Sequence, residues 1–239
     1  MNNLNTGFYK DLDTNFEQAL EMAEKEFSHI ELLEMLKNGN IPEKQIAALK
    51  LKTLNNKEEA EILISNLTGC DGKIREAVAL KINQLLNQNK DFVEFFTQAE
   101  VFAQASIDIN GNICRLVIDS AEILNSNQEF ASKYSSQIIK LINETFIELD
   151  KFIYRDKKYV INKQLFKLYW CLEALKYYAD SIPLKTLFPI IDKASKEREY
   201  TIREKAAQIL VKLDNPEFDS LKELLKNDEN YYVRKIFES

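Results

Sequence analysis

One short pattern constrains this chain more than any other feature. It is an aliphatic residue, an arginine, two variable residues, two small residues, two variable residues and a leucine. The clearest copy is Ile202-Arg203-Glu204-Lys205-Ala206-Ala207-Gln208-Ile209-Leu210-Val211-Lys212-Leu213. A second is Ile74-Arg75-Glu76-Ala77-Val78-Ala79-Leu80-Lys81-Ile82-Asn83-Gln84-Leu85. A third starts at Val233-Arg234 and is cut short at Ser239. Three weaker copies start at Glu43, Ile113 and Ile161; they keep the apolar spacing, but Lys44, Cys114 and Asn162 replace the arginine. The six starts are 31, 39, 48, 41 and 31 residues apart. Recurrence at this period marks a stack of supersecondary units, none of which can bury its apolar face alone.

Each copy reads as a helix with its own start signal. Asn40, Asp71, Asn110, Glu199 and Asn230 lie three residues before their copies, where a polar side chain can accept the free N–H groups of a first turn; Lys158 is the exception. The intervening segments read as helices too. Ser28-His29-Ile30-Glu31 is a capping box, and its helix is predicted to end at Gly39. Asp91 with Glu94 and Ser126 with Glu129 follow the same logic, and Asn215-Pro216 sets a cap before a first-turn proline. Ser181 and Pro183 do much the same, and Thr14 with Glu17 predicts one more helix ahead of the first unit. Gly69-Cys70-Asp71-Gly72 reads as a tight turn. Each unit is therefore an A helix, a turn and a B helix carrying the motif.

Composition agrees with helices. Only 5 Gly and 4 Pro are present, too few for a strand-and-turn protein. No stretch rich in Pro, Gly or Ser marks a linker, so a single domain over 1–239 is expected, with 1–27 as an N-terminal capping helix and 28–239 as repeats. The net charge of −6 and the pI of about 5.1 weigh against nucleic acid and anionic membranes as partners. Cys70, Cys114 and Cys171 form no CxxC pair and are expected to be free thiols in a reducing, cytoplasmic setting. No apolar run approaches the roughly 18 to 20 residues that span a bilayer, and the first residues lack an apolar signal region.

On these motifs the chain resembles the HEAT-repeat family, in the short form of the phycobilin-lyase-type repeats. The likeness is strongest over 71–86 and 199–213 and weakest over 90–180. It implies an all-α fold, a right-handed α-α superhelix of about six HEAT-like helix pairs. It also implies that Arg75, Arg203 and Arg234 form an inter-repeat ladder with aspartates. The missing arginines put a regular ladder in the middle units in doubt. A chromophore-lyase role follows from the resemblance alone.

Solenoids of this kind usually bind partners along the face made by their B helices. Positions equivalent to 204, 208 and 211 share one helix face. They give Gln45, Leu49 and Lys52; Glu76, Leu80 and Asn83; Arg115, Asp119 and Glu122; Lys163, Lys167 and Trp170; and Glu204, Gln208 and Val211. Trp170, the single tryptophan, breaks a mostly polar stripe beside two lysines. It is either a partner anchor or core filling beside Phe166, Tyr169, Tyr177 and Tyr178. The nearby run Lys151, Arg155, Lys157, Lys158, Lys163 and Lys167 holds one acid, Asp156, and reads either as an anion-receiving patch or as a solvated flank.

Catalytic signatures are missing. His29 is the single histidine, and no phosphate-cradling glycine loop, serine elbow or zinc spacing occurs. No metal site and no cofactor are expected. An alternative reading is a HEAT-like alkylpurine DNA glycosylase, which would use a concave Asp with Trp residues. Asp119 and Trp170 resemble that arrangement, but Arg115 stands where that family has a Trp and no second Trp exists. The expectation is a non-enzymatic scaffold whose partner, a protein or peptide, contacts Arg115, Asp119, Lys163, Lys167 and Trp170. The shortened last B helix is expected either to cap the stack or to dock another chain.

Overall fold

The start signals work locally as side-chain chemistry requires. The Asn40 side chain accepts from the Glu43 backbone N–H at 3.0 Å, and the Glu43 carboxylate accepts from the Asn40 N–H at 2.6 Å. Ser28 and Glu31 close the same reciprocal box. Asp71 takes two first-turn N–H groups, from Lys73 and Ile74. Asn230 takes that of Tyr232. The computed structural model describes residues 6–152 and 158–238, with side chains described over 14–152 and 161–238. Among them every regular element is helical.

The residues divide into two compact units, Met1–Leu124 and Asn125–Ser239. The first contains α1 (Thr6–Glu24), α2 (His29–Asn38), α3 (Ile41–Lys50), α4 (Lys57–Ile64), α5 (Gly72–Gln88), a 3-10 segment Lys90–Phe95, α6 (Ala99–Ala105) and α7 (Gly111–Leu124). The second contains α8 (Gln128–Asp150), α9 (Lys158–Leu175), a 3-10 turn Ala179–Ser181, α10 (Leu184–Ser195), α11 (Tyr200–Lys212), a 3-10 turn Pro216–Phe218, α12 (Asp219–Lys226) and α13 (Tyr231–Lys235).

Within each unit the B helices pack in a row and the A helices lie behind them. In the first, α3 packs on α5 and α5 on α7, with α1 against α3 and α2 against α4. In the second, α9 packs on α11 and α11 on α13, with α8 against α9 and α10 against α12. This is the expected all-α stack of helix pairs. The motif explains the rows: Ala47, Ala48, Ala77, Ala79, Ala206 and Ala207 are all buried, and their small side chains let the helices approach closely. Ile202, Ile209 and Leu210 are fully buried beside them, each worth about 1.5–3 kcal/mol of apolar burial. Two glycines are required by geometry. A Cβ on Gly39 would sit 2.4 Å from the Met35 carbonyl oxygen, and Gly69 has φ +133, which disfavours any side chain.

Six start signals act otherwise than expected. Glu199 precedes α11 without a side-chain cap bond, and Ser181 donates to the Tyr178 carbonyl while Pro183 precedes α10 uncapped. Four more differ in place. Thr14 lies inside α1, which begins at Thr6. Asn127, one residue after Ser126, caps α8 by accepting from Glu129 and Phe130. Asn89, not Asp91, caps the 3-10 segment, and the third A helix is divided into that segment and the short α6. Asn215 caps a 3-10 turn, after which α12 starts at Asp219. Lys158 is the first residue of α9.

Candidate functional site

The motif arginines sit at the N-terminal ends of the B helices and point into the junction between consecutive helix pairs. Arg75 donates through Nε to Asp108 Oδ2 at 2.6 Å and through Nη2 to Oδ1 at 3.2 Å. Its Nη1 donates to the Gly69 carbonyl, six residues back, at 2.8 Å. Arg203 repeats this on Asp228, at 2.6 and 3.0 Å, with Nη1 on the Glu197 and Arg198 carbonyls. Both forks are largely buried, and both raise the guanidinium pKa, first through the bond to the aspartate. Burial pushes the Asp228 carboxyl up, but the bonds from Arg203 and the Asn230 N–H outweigh it and hold the group below the ordinary carboxylate range.

The aspartates occupy a fixed place. Asp228 lies six residues before Arg234, and Arg234 Nη1 donates to the Asp228 carbonyl at 2.5 Å. Asp108 lies six residues before Cys114, whose thiol donates to the Asp108 carbonyl at 3.1 Å. One residue thus offers its carbonyl to its own repeat and its carboxylate to the repeat before. Cys114 keeps the backward bond but has nothing to reach forward; burial pushes its thiol up to about 12. Lys44 holds a related junction differently, donating to Asn66 Oδ1 at 2.9 Å while the Asn66 amide donates to the Leu36 carbonyl. The Asn162 side chain, in the remaining copy, is exposed.

The five residues singled out as partner contacts are distributed over both units. In the first unit, Arg115 is exposed and Asp119 half-buried on α7. In the second, α9 carries Lys163 exposed, Lys167 half-buried and Trp170 half-buried. The Trp170 indole meets Phe166 and Tyr169 edge to face, at 6.1 and 5.2 Å between centroids. Its Nε1 is buried without a hydrogen-bond partner, while Phe166 stays 38% exposed. Of the basic run, Lys151 pairs with Glu148 at the end of α8; Arg155, Asp156 and Lys157 lie outside the described residues, as does the Lys158 side chain.

Two buried lysines stand out. Lys205 on α11 donates to Glu173 of α9 and to Gln208, and its Nζ lies 4.6 Å from the Tyr169 ring centroid. Glu173 also accepts from Lys176. Burial pushes the Glu173 carboxyl up, but the two lysine bonds more than offset it, so it ionises below the ordinary range. Lys81 on α5 is equally enclosed, yet it makes no hydrogen bond or ion pair among the described residues, and burial lowers its pKa. It lines a cavity of about 570 Å³ at the C-terminal end of α3. The Asp five residues before the next motif could have been found in the sequence by asking what each arginine could fork onto. Lys81 had a weaker signal, since its column holds Lys50 and Ser120 as well as Leu168 and Ile209.

His29 Nε2 lies 2.9 Å from Glu59 Oε2, and Asn55 donates to the same carboxylate through backbone and side chain. This is a clasp between consecutive A helices. Cys114 and Cys171 are buried and Cys70 is exposed, all three free. Among the described residues no group of three His, Cys, Asp or Glu could hold a metal ion, and no helix is long and apolar enough to cross a membrane.

No protein-family model and no curated protein matches the chain. Solved structures similar to it include an engineered protein and two designed armadillo repeat proteins. An engineered protein, a structural-genomics target, shares 14% identity at TM-score 0.49 over 89% of this chain and 96% of its own. A designed armadillo repeat protein in complex with the peptide (KR)4 shares 13% at TM-score 0.46 over 87% and 95%. Another designed armadillo repeat protein shares 12% at TM-score 0.42 over 87% and 95%.

Proposed function

We propose that this protein is a HEAT-like, non-enzymatic interaction scaffold that works in the cytoplasm and holds a polypeptide partner on the exposed faces of its B helices. The observation that carries this reading is the face of α9. Trp170 and Phe166 leave aromatic surface open there, and Lys163 and Lys167 on the same helix form no ion pair among the described residues. An aromatic anchor ringed by cations is the composition of a binding hot spot. Arg115 and Asp119 offer a second contact patch on α7, in the other unit. The structural side of the molecule is already engaged elsewhere: Arg75 and Arg203 hold consecutive pairs together, and Lys205 is saturated by Glu173 and Gln208.

Co-purification tests the reading directly. Tagged wild type is compared with Trp170→Ala, with the pair Lys163→Glu and Lys167→Glu, and with the pair Arg115→Glu and Asp119→Lys. Both α9 variants are expected to lose the captured polypeptides, the lysine pair while melting near the wild-type temperature and Trp170→Ala at some cost in stability from its half-buried ring. An unchanged set of captured polypeptides on every variant would sink the assignment of these faces.

A further inference from the structure

We propose that the cavity at the C-terminal end of α3 receives an acidic side chain of a polypeptide partner, with the Lys81 amine as the group that meets its carboxylate. This rests on the reading above only in taking the partner to be a polypeptide; it names a different place on the first unit and the chemistry of what enters it.

The argument starts from a mismatch of residue type and position. Lys81 stands at the α5 position that α9 fills with Leu168 and α11 with Ile209, both fully buried. There α3 has Lys50, half-buried and bonded to backbone carbonyls, and α7 has the buried Ser120, bonded to the Leu116 carbonyl. Lys81 alone of the polar residues in that column has no bond among the described residues. Its own exposure is 9%, close to the 7% of Lys205. An ammonium removed from water is normally found with a carboxylate beside it, because desolvation disfavours the charged form. Lys205 has that partner in Glu173. Lys81 has none among the described residues, and desolvation alone is what lowers its pKa.

The neighbouring acids and bases do not supply the missing charge. Glu59 is held by His29 and Asn55. Glu26 lines the same cavity but is exposed and makes no ion pair with Lys81. Lys50 directs its ammonium onto the carbonyls of Ala23 and Lys25, both at 2.8 Å, and Lys52 stands exposed at the rim. Phe27, Leu32 and Leu49 supply apolar wall. A cavity with three apolar lining residues, two lysines against one exposed glutamate, and a buried lysine fits a carboxylate on a short aliphatic stem. It suits inorganic phosphate poorly, since no arginine lines it and phosphate needs several N–H donors at once. The volume admits an acidic side chain with an apolar neighbour, and Leu49 and Lys52 connect the cavity to the exposed stripe of α3.

The test is a selection of random short peptides displayed on phage against the full chain, repeated on Lys81→Met and Lys52→Glu. The expected result is a consensus with one Asp or Glu beside an apolar residue, absent from both variants. A peptide from that consensus, labelled for fluorescence anisotropy, should bind wild type at least about tenfold more tightly than its glutamate-to-glutamine counterpart, the scale of a charged hydrogen bond. On Lys81→Met the two peptides should bind alike. Lys81→Met should also fold and melt at or above the wild-type temperature, because it removes an uncompensated buried charge; Lys52→Glu reverses only a rim charge and guards against a folding artefact. Peptides enriched without an acidic position, or with the same one on Lys81→Met, would overturn the assignment while leaving the scaffold reading standing. Failure to enrich any peptide would bring down both. Displacement of the bound peptide by millimolar inorganic phosphate or glutarate as readily as by unlabelled peptide would make this a small-anion site and overturn the polypeptide assignment.

Discussion

Lys205 and Lys81 are buried to nearly the same degree, one in each unit, and their surroundings could hardly differ more. Around Lys205 the protein has built a closed electrostatic neighbourhood. Glu173 accepts from it and from Lys176, Gln208 accepts a further bond, and the Tyr169 ring lies beneath the ammonium. Around Lys81 there is an open cavity of mixed lining and, among the described residues, no ion pair. The difference teaches that burial by itself does not tell a structural lysine from a receptive one. The partner does, and among the described residues Lys205 has one while Lys81 has none.

The comparison can be broken most sharply at Glu173. Glu173→Ala leaves Lys205 buried and unpaired, so a loss of about 3–5 kcal/mol is expected in chemical denaturation. If the loss is under about 1 kcal/mol, the network around Lys205 is decorative and the contrast with Lys81 disappears. The forked junctions come next. Asp108→Ala orphans a largely buried guanidinium and is expected to cost about 2–4 kcal/mol; Asp228→Ala should cost less, because Glu229 lies 3.6 Å from Arg203 and retains part of the pairing. A smaller effect with opposite sign belongs to Lys81→Met, a gain of about 1 kcal/mol read by the same denaturation. Asn127→Ala, which removes only the cap of α8, should cost about 1 kcal/mol and calibrates the scale.

Titration separates the two lysine neighbourhoods again. Glu173 and Asp228 ionise at lower pH in the folded chain than in the unfolded one. The stability they contribute is therefore present above the ordinary carboxylate range and lost as pH falls through their depressed folded values. Asp228→Asn should lower stability at neutral pH and flatten the acid-side loss. Lys81 shifts stability in the same direction but over the lysine range, where it acts as a penalty relieved as pH rises. Its folded pKa lies below the ordinary lysine value, so the unfolded chain binds more protons in between and stability rises with pH across that interval. The advantage of Lys81→Met over wild type should shrink as pH rises toward that of an ordinary lysine. An advantage that stays constant with pH would mean that Lys81 binds its proton as firmly in the folded chain as in the unfolded one.

Much of the frame was legible in the residues. Asn40, Asp71 and Asn230 cap the helices expected of them because a short polar side chain three residues before a motif has few other places to go. Arg75 and Arg203 fork onto aspartates because a buried guanidinium must be neutralised. The third A helix was not legible. Its apolar spacing suits a helix, yet the chain divides it into a 3-10 segment and α6, a choice made by packing rather than by local preference. Trp170 was legible as an exception to its stripe but not as a ring half in and half out, with its Nε1 enclosed. Lys81 was not legible as buried because a lysine in a sequence looks like surface and its motif position carries Lys50 and Ser120 as well as Leu168 and Ile209.

The residue that serves two repeats at once also decides where such a chain can be lengthened. Gly69, Asp108, Glu197 and Asp228 each stand six residues before Arg75, Cys114, Arg203 and Arg234, and each gives its carbonyl across that interval. An insertion there would cut the backward bond and, at Asp108 and Asp228, misdirect the forward carboxylate as well. The motif spacing nevertheless varies from 31 to 48 residues. The extra length must therefore be absorbed away from the turn, and the longest helix in the described structure, α8 with 23 residues, is an A helix. The turn acts as a splice of fixed length, and the back row is the part of the molecule that is free to grow.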